Sequence, residues 1–355
     1  TYSICNGLNP ENKNLIIAYT HENIHNINKE LIEKFGKVPE LTNVMTYHSF
    51  LYRYILCPYE PTILKKFNRL DFVRKGITTK KSPDMTKIVN NDIRIPNKAY
   101  KKKEELEHYE LDGNYYCNTL AELILYVKEG NQKLIDKAVN SLNMFYDQVY
   151  IDEFQDFRTY DFELIVLLAK KINNILLVGD YYQHSVSGDN NSGKPFDKMG
   201  IKDFVEFLIK SKLTVDTTTL SASRRCPKAI CDFVEEKLDI EFGCNNSHIG
   251  SIYWLDESNV EDVLNDDEIV KLVWNNANKY LFNAVNWSYS KGDTYNSVCV
   301  ILTDKFKKLQ DNNFDIGTIK EITKNKLYVA ITRTKGDLYF LKKELFDEVK
   351  GQYYL

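Results

Sequence analysis

Two groups of acidic residues follow short apolar runs in the middle of the chain. Asp152 and Glu153 come directly after the run at residues 149–151, and Asp180 follows the run at residues 175–178. A carboxylate at the end of a buried strand can hold a hydrated Mg²⁺, which binds through one or two carboxylates together with phosphates. A neighbouring carboxylate can orient or deprotonate a water that attacks a γ-phosphate. The residue types therefore favour Asp152 as a metal ligand and Glu153 as the base.

A helix is predicted between the two acidic groups. Apolar residues recur there at helical spacing, at Phe162, Ile165, Val166, Leu168 and Ala169. Strand, helix and strand predict a right-handed βαβ unit of a parallel sheet. The carboxyl ends of such strands face the crevice in which open α/β sheets bind ligands.

Gln183 lies just beyond the second strand, where it could sense whether the γ-phosphate is present. For Asp152 and Glu153 taken alone, an ordinary strand exit into solvent is an equally good interpretation. The two acidic groups at this separation favour a phosphate site instead.

Length and composition restrict the class of protein. A chain of 355 residues predicts two or three lobes, and 43% hydrophobic residues suffice for their cores. The net charge of −3 limits any nucleic-acid surface to a local patch. Seven cysteines without a C-x-x-C pair argue for reduced thiols and against a zinc site. Neither a signal peptide nor an apolar run of ~20 residues is found, so we expect a soluble cytoplasmic protein without membrane contact.

Three stretches carry a resemblance to a known family. Residues 151–156 (I-D-E-F-Q-D) resemble the Walker B element of UvrD/Rep-like superfamily 1 helicases, and residues 178–183 (V-G-D-Y-Y-Q) resemble their motif III. Residues 327–334 (L-Y-V-A-I-T-R-T) resemble motif VI, which implies that Arg333 contacts the γ-phosphate. The resemblance implies an α/β fold of the P-loop NTPase type. This implied fold consists of two RecA-like parallel-sheet lobes, and the first lobe carries a mainly helical insertion. ATP and Mg²⁺ are expected to bind between the lobes.

Residues 217–237 resemble motif IV, with a strand into Leu220 and a helix that begins near Pro227. Arg225 takes the position of the arginine that reaches the γ-phosphate in the family. A planar, always-charged guanidinium suits the charge spread over a phosphoryl group. Ser223 and Arg224 depart from the usual Asn-Tyr, and surface ion pairs are the alternative role for the arginines.

Other residues are predicted to contact nucleic acid. Residues 15–20 and 44–50 resemble motifs Ia and Ib, and residues 290–295 resemble motif V, although Thr294 stands where many relatives have Glu. Small hydroxyl and imidazole groups suit phosphate and sugar contacts. The resemblance also implies that motif III aromatics stack on bases. The predicted nucleic-acid residues are Thr20, Thr46, His48, Ser49, Tyr181, Tyr182, His184 and Lys291. As isolated features, the threonines would be helix caps and the histidine structural.

The segment between motifs Ib and II is basic in an acidic chain. Residues 60–110 hold 13 Lys and Arg against 8 Asp and Glu, interleaved with Tyr and Phe. Such a surface suits single-stranded nucleic acid, through neutralisation of the backbone and stacking of bases. A solvated helical face is the alternative, particularly at residues 101–105. In the family, a subdomain is inserted at this place.

The start of the sequence bears on catalysis. A nucleotide-binding sheet of this type should open with a strand and a G-x-x-x-x-G-K-[ST] loop. Thr1 is interpreted as the final residue of such a loop and as a Mg²⁺ ligand, with the glycines and lysine upstream. A protein unable to hydrolyse ATP is the other interpretation. Residues 188–195 also fit G-x-x-x-x-G-K, but Pro195 replaces the hydroxyl residue, so we predict a surface loop.

The predicted organisation has three parts. Residues 1–50 and 141–212 form the first RecA-like lobe, 51–140 the basic insertion, and 213–355 the second lobe. Only residues 238–289 separate motifs IV and V, so we expect a minimal family member. The predicted function is an ATP-dependent helicase or translocase that moves 3′-to-5′ on single-stranded DNA, or on a duplex with a single-stranded tail. The alternative is a helicase-like subunit that binds DNA or a protein partner without hydrolysis, in a repair or phage-defence complex.

Overall fold

The computed structural model describes the protein over residues 1–89, 93–184, 195–196, 199–245 and 247–354. Most of the predicted surface loop, residues 188–194, lies outside these ranges. Within them, no helix combines the length and the apolarity that crossing a membrane requires.

The chain forms two compact units. The first contains Thr1–Gly179 and Gly193–Leu213, and the second contains Asp180–Ser192 and Thr214–Leu355. The short segment after Gly179 is thus grouped with the second unit. The lobe boundaries given above remain a prediction.

A parallel four-stranded sheet is the centre of the first unit. The α-helices of the first unit, within the described ranges, are α1 (Tyr2–Gly7), α2 (His21–Phe35), α3 (Tyr47–Phe50), α4 (Cys57–Phe67), α5 (Leu120–Tyr126), α6 (Leu134–Phe145), α7 (Thr159–Ala169) and α8 (Ile201–Lys210). Its strands are β1 (Asn14–Ala18), β2 (Thr42–Thr46), β3 (Gly76–Thr78), β4 (Thr86–Val89), β5 (Ile93–Pro96), β6 (Glu110–Leu111), β7 (Asn114–Tyr116), β8 (Lys128–Glu129), β9 (Gln132–Lys133), β10 (Gln148–Ile151) and β11 (Ile175–Leu177). The sheet order is β11-β10-β1-β2, so the predicted β10–α7–β11 unit is confirmed.

The sheet is held together by buried apolar strands. All five residues of β1 are buried, as expected for a central parallel strand covered on both faces. Ile17 pairs with Ile151 on one side and with Met45 on the other. Because the strands are parallel and in register, their carboxyl ends lie along one edge. Asp152 and the loop that begins at Glu153 leave the sheet at that edge.

Helices make up most of the regular structure in the described part of the insertion, as expected: the π-helix Leu51–Leu56, α4, α5 and the start of α6. The insertion also contains the short strands β3 to β9. Strands β6 and β7 form an antiparallel hairpin whose loop is Asp112-Gly113. Both loop residues have positive φ, at 52° and 89°, as a type I′ turn requires. An Asp-Gly pair between short runs is therefore the local signal that predicts this hairpin.

The second unit is built on a parallel five-stranded sheet. Its α-helices, among the residues described, are α9 (Lys228–Leu238), α10 (Val260–Asn265), α11 (Glu321–Ile331) and α12 (Lys343–Val349). Its strands are β12 (Ala222–Ser223), β13 (Gly243–Cys244), β14 (Ile252–Trp254), β15 (Ile269–Val273), β16 (Ala284–Asn286), β17 (Ser297–Ile301) and β18 (Leu338–Leu341). The order is β14-β18-β17-β15-β16, with every pairing parallel. Two units with parallel sheets confirm the predicted α/β fold class.

The predicted strand into Leu220 is wrong. Residues 214–221 form no strand, and Leu220 is exposed. The Asp216 carboxylate instead accepts hydrogen bonds from the backbone N–H groups of Thr218 and Thr219, at 2.8 and 3.0 Å. These bonds form an Asx-type turn that removes the N–H groups a strand would use. The helix predicted near Pro227 is confirmed as α9.

The end of β11 approaches the loop after β10 closely at Gly179. A Cβ atom placed on Gly179 would lie 2.5 Å from Gln155 Oε1, and 3.2 Å from the backbone nitrogens of Gln155 and Phe154. The loop is fixed there, because the Phe154 N–H donates to the Val178 carbonyl at 2.9 Å. A side chain at this position would displace the Gln155 amide and crowd the backbone of the loop.

We predict that Gly179→Ala lowers the free energy of unfolding by about 1–3 kcal/mol, because the added methyl group overlaps a buried amide and backbone. Gly7→Ala is the matched control, since nothing lies within 4 Å of a Cβ atom at Gly7. In helix α1 this change should stabilise by about 0.5–1 kcal/mol. Urea unfolding followed by circular dichroism measures both. Equal stability of the two variants would contradict the close approach.

Candidate functional site

A carboxylate and a hydroxyl meet at the end of strand β10. Asp152 follows β10 and is 1% exposed. Its Oδ2 accepts a hydrogen bond from Thr1 Oγ1 at 2.5 Å, and its Oδ1 accepts one from the Thr1 nitrogen at 2.9 Å. Thr1 precedes α1, which is anchored by the buried Ile4 and Cys5. The predicted metal ligands Thr1 and Asp152 are thus adjacent in the structure.

This pair fits Mg²⁺ only as part of a phosphate complex. Among the described residues, no group of three or more His, Cys, Asp or Glu side chains could hold a metal ion by itself. Mg²⁺ in nucleotide sites keeps several waters and takes one or two protein oxygens beside those of the phosphates. The Asp152 carboxylate and the Thr1 hydroxyl supply two such oxygens. The donor set therefore fits Mg²⁺ brought by a nucleotide.

Glu153 adopts an unusual backbone conformation beside Asp152. Its φ of 54° and ψ of 45° lie in the left-handed region, which costs energy for a residue with a side chain. Its Oε2 accepts a hydrogen bond from Gln155 Nε2 at 2.5 Å, and Gln155 is itself buried. The Gln155 amide fixes one carboxylate oxygen of Glu153, and the carboxylate remains an acceptor of hydrogen bonds. A carboxylate held in this way can take a proton from water.

A buried arginine holds the loop that precedes α7. Arg158 precedes α7, and its guanidinium lies 4.3 Å from the centre of the Phe196 ring. Nη1 of Arg158 donates to the carbonyls of Gln155 and Phe157. Burial lowers the pKa of Arg158 to about 10 despite the charge of Asp156, and the group stays charged at neutral pH. The backbone of the loop that carries Glu153 is therefore held from within the first unit.

In the second unit, the two predicted arginines converge on Thr332. Arg225 Nη1 donates to the Thr332 carbonyl at 3.0 Å. Arg333 Nη2 donates to Thr332 Oγ1 at 3.1 Å, and its Nε donates to the Val329 carbonyl at 2.9 Å. Arg333 is 2% exposed, whereas Arg225 is half-buried. The structure thus brings together two guanidinium groups that are distant in sequence.

Gln183 lies in the second unit, next to Asp180. Its Nε2 donates to Asp180 Oδ2 at 2.8 Å, and Tyr328 Oη donates to the same oxygen at 2.8 Å. Tyr328 belongs to α11, and sequence reasoning gave it no role. The only signal for it was a phenol within the otherwise apolar helical run that precedes Arg333.

The three motif III residues predicted to stack on bases make contacts within the second unit. Tyr181 is 8% exposed, and its hydroxyl donates to Glu321 Oε1 at 2.9 Å. His184 is 3% exposed and its ring contacts that of Tyr181. Tyr182 is half-buried against the Tyr328 ring. Base stacking remains a prediction for these residues, and would require Tyr181 and His184 to exchange their present contacts.

The residues of motifs Ia and Ib cap helices in the first unit. Thr20 Oγ1 accepts the Asn23 N–H at 3.1 Å at the start of α2. Thr46 Oγ1 accepts the Ser49 N–H at 3.3 Å and donates to Ser49 Oγ at 2.8 Å. Burial lowers the pKa of His48 to about 4, so the imidazole is neutral at pH 7. The capping role weighed from the sequence is present, and nucleic-acid contact remains a prediction.

The lysines expected to contact nucleic acid lie in two places. Lys291 follows the short 3₁₀ helix Trp287–Ser290 of the second unit and is half-buried. The lysine clusters of the insertion are exposed, at Lys80, Lys81, Lys101, Lys102 and Lys103. Residues 102–105 form a turn and residue 101 is not helical, so their charges do not line the helical face that was considered.

Comparison with known proteins identifies one family. Residues 114–185 match the family model of the UvrD/REP helicase N-terminal domain. No curated protein gives a significant match.

Among solved structures, the chain is similar to arterivirus nonstructural protein 10 (helicase) in complex with DNA. The identity is 12% and the TM-score 0.43, with 99% of this chain and 59% of that chain covered. It is also similar to the PRRSV helicase, at 10% identity and a TM-score of 0.42, with 100% and 52% covered. The chain therefore spans between about half and three fifths of the length of these proteins.

The family match contains both acidic strand ends, Asp152 with Glu153 and Gly179 with Asp180, from which the resemblance was first stated. It confirms that resemblance. The chain is therefore similar to the UvrD-like superfamily 1 helicases over residues 114–185, which match the UvrD/REP helicase N-terminal domain.

Proposed function

We propose that the protein is a DNA-dependent ATPase that acts as a helicase or translocase on single-stranded DNA, in the 3′-to-5′ direction. The observation that supports this most is the contact of the Thr1 hydroxyl with the buried Asp152 carboxylate. The two groups match the end of a phosphate loop and a Walker B acid. The proposal includes a phosphate loop upstream of Thr1, and the direction and the DNA substrate follow the family resemblance.

Each polar group has a role in the proposed reaction. Thr1 and Asp152 would hold Mg²⁺, which when bound neutralises charge on the β- and γ-phosphates of ATP. Glu153 accepts a proton from the water that attacks the γ-phosphorus, and ADP leaves. Gln183 contacts the γ-phosphate and reports its presence. Arg225 and Arg333 stabilise the charge that spreads over the transferred phosphoryl group.

Nucleic acid is proposed to bind through residues of both units. Helix starts carry Thr20, Thr46 and Ser49, and N–H groups at helix N-termini favour phosphates. Of the motif III aromatics, Tyr182 is the least enclosed and is the best candidate for a base contact. The exposed lysines of the insertion would neutralise the strand backbone.

We predict that Glu153→Gln lowers single-stranded-DNA-stimulated ATP hydrolysis by at least about 100-fold, because the amide cannot accept the proton of the attacking water. Phosphate release by the full-length protein is the measurement. Glu163→Gln is the control, because Glu163 is exposed on α7 and has no role in the proposal. Hydrolysis that is equal in the wild type and Glu153→Gln would remove the role given to Glu153. Absence of hydrolysis in the wild type would favour the binding-only interpretation.

Arg225→Ala should lower kcat by about 10³-fold, as expected for loss of an arginine that stabilises the phosphoryl transition state. The neighbouring Arg224 is exposed, so Arg224→Ala is the matched control and should keep kcat within a few-fold of wild type. Stopped-flow phosphate release at saturating ATP separates the two. An equal effect of both substitutions would contradict a specific role of Arg225 at the phosphoryl group.

Replacing five of the exposed insertion lysines (Lys80, Lys81, Lys101, Lys102 and Lys103) by Gln should weaken binding to single-stranded DNA and make it less dependent on salt. The slope of log affinity against log salt should fall by about 0.7 for each lysine that contacts a phosphate. Fluorescence anisotropy with a labelled oligothymidylate at several salt concentrations gives this slope. The double variant Lys80→Gln/Lys81→Gln can be compared with Lys29→Gln/Lys37→Gln on the surface of the first unit. Equal slopes for these two would exclude a local basic patch.

A further inference from the structure

The Asp180 carboxylate gathers three hydrogen bonds in the second unit. Its Oδ1 accepts the Tyr182 N–H at 2.9 Å. Its Oδ2 accepts Gln183 Nε2 at 2.8 Å and Tyr328 Oη at 2.8 Å. An ionised carboxylate only accepts, so all three partners must donate to it. The orientation of the Gln183 amide is therefore set by Asp180.

Tyr328 is held as a donor to this carboxylate. It is 4% exposed, and burial together with the charge of Asp180 raises the pKa of Tyr328 well above its usual range. The phenol thus stays protonated. Its ring is fixed by edge contact with Phe242 at 5.5 Å and by Tyr182 at 5.9 Å.

The same turn of α11 leads to both arginines. The Tyr328 carbonyl accepts Thr332 Oγ1 at 2.8 Å. Thr332 in turn binds Arg333 through its hydroxyl at 3.1 Å and Arg225 through its carbonyl at 3.0 Å. The Gln183 amide is therefore linked to the two guanidinium groups by hydrogen bonds through Asp180, Tyr328 and Thr332, with the covalent structure of Tyr328 and Thr332 between successive bonds.

The segment 180–184 contacts α11 at a second place, besides the hydrogen bond between Asp180 and Tyr328. Tyr181 Oη donates to Glu321 Oε1 at 2.9 Å, at the first residue of α11. Lys324 Nζ lies 5.6 Å from the centre of the Tyr182 ring. The segment is thus held at the beginning of α11 and near its end. Gln183 must move with α11 when that helix moves.

We propose that Asp180 and Tyr328 are positioning residues that join the γ-phosphate contact of Gln183 to Arg225 and Arg333. This inference rests on the proposed function. With Nε2 bound to Asp180, Gln183 presents its Oε1 and its second N–H in a fixed direction. Presence or loss of the γ-phosphate then biases α11 and the arginines at its end. The segment 180–184 acts as part of the second unit in this coupling.

The test is the preference of the full-length protein for a triphosphate over a diphosphate. The dissociation constants of adenosine 5′-(β,γ-imido)triphosphate and of ADP, each with Mg²⁺, are measured by calorimetry. Tyr328→Phe removes only the hydroxyl and keeps the ring contacts. We expect it to reduce the preference for the triphosphate about tenfold, the usual effect of losing a hydrogen bond to a charged group. ADP affinity and the melting temperature should stay close to those of the wild type, which a merely structural role would not predict.

Tyr115→Phe is the matched control. Tyr115 is fully buried in the insertion, and its hydroxyl donates to Glu60 Oε1 at 3.1 Å. Loss of this hydroxyl should leave the preference for the triphosphate unchanged. Asp180→Asn provides a second variant. It should reduce the preference as Tyr328→Phe does, and the double variant should lose no more than either single variant because the residues act in series.

The outcomes separate the two proposals. A wild-type protein that does not hydrolyse ATP overturns the proposed function, whereas one that hydrolyses ATP but binds both nucleotides equally overturns the coupling alone. A wild-type protein that prefers the triphosphate, with a Tyr328→Phe variant that prefers it equally, leaves that function standing and overturns the coupling. Additive losses in the double variant also overturn the coupling, because they show independent effects.

Discussion

The buried carboxylate of Asp152 is the constraint on which the first unit depends. A carboxylate that is 1% exposed has lost its contact with water and needs hydrogen-bond donors from the protein. Thr1 donates to both of its oxygens, and this holds only while α1 stays packed beside the sheet. The contact therefore ties the start of α1 to the end of β10. A cation that binds Asp152 has to interact with the carboxylate at least as favourably as these two hydrogen-bond donors do. Mg²⁺ together with phosphates meets this requirement.

Regular parts of the first sheet could be predicted because buried parallel strands are continuous apolar runs. The observed bounds of β10 and β11 agree within one residue with the predicted apolar runs. Prediction failed where side chains compete for backbone groups. Asp216 accepts the N–H groups that a strand into Leu220 would have used. The hairpin at Asp112-Gly113 was missed because its strands are too short for alternation to be visible.

The site was predictable in its residue types but not in its contacts. The acids and arginines stand out in sequence because motifs mark them. Nothing local indicates that Tyr328 would meet Asp180, since their contact depends on how α11 packs within the second unit. Nor does sequence show that Tyr181 would be bound to Glu321. A motif therefore identifies the groups that chemistry requires, whereas long-range packing decides which of them are held by one another.

The arginine pair illustrates how a structural role and a chemical role can coincide. A helix end leaves its last carbonyls without intrahelical partners, and cations are favoured there. Arg333 Nε binds the Val329 carbonyl in the last turn of α11, and Arg225 binds the carbonyl of Thr332 just after it. These neutral acceptors hold the guanidinium groups less strongly than a phosphate would, because charge-assisted hydrogen bonds are roughly twice as strong. A guanidinium has five N–H donors, so it can keep a carbonyl while it binds a phosphate oxygen. In the proposed reaction, the bonds that cap α11 would thus orient the arginines for the γ-phosphate without competing with it.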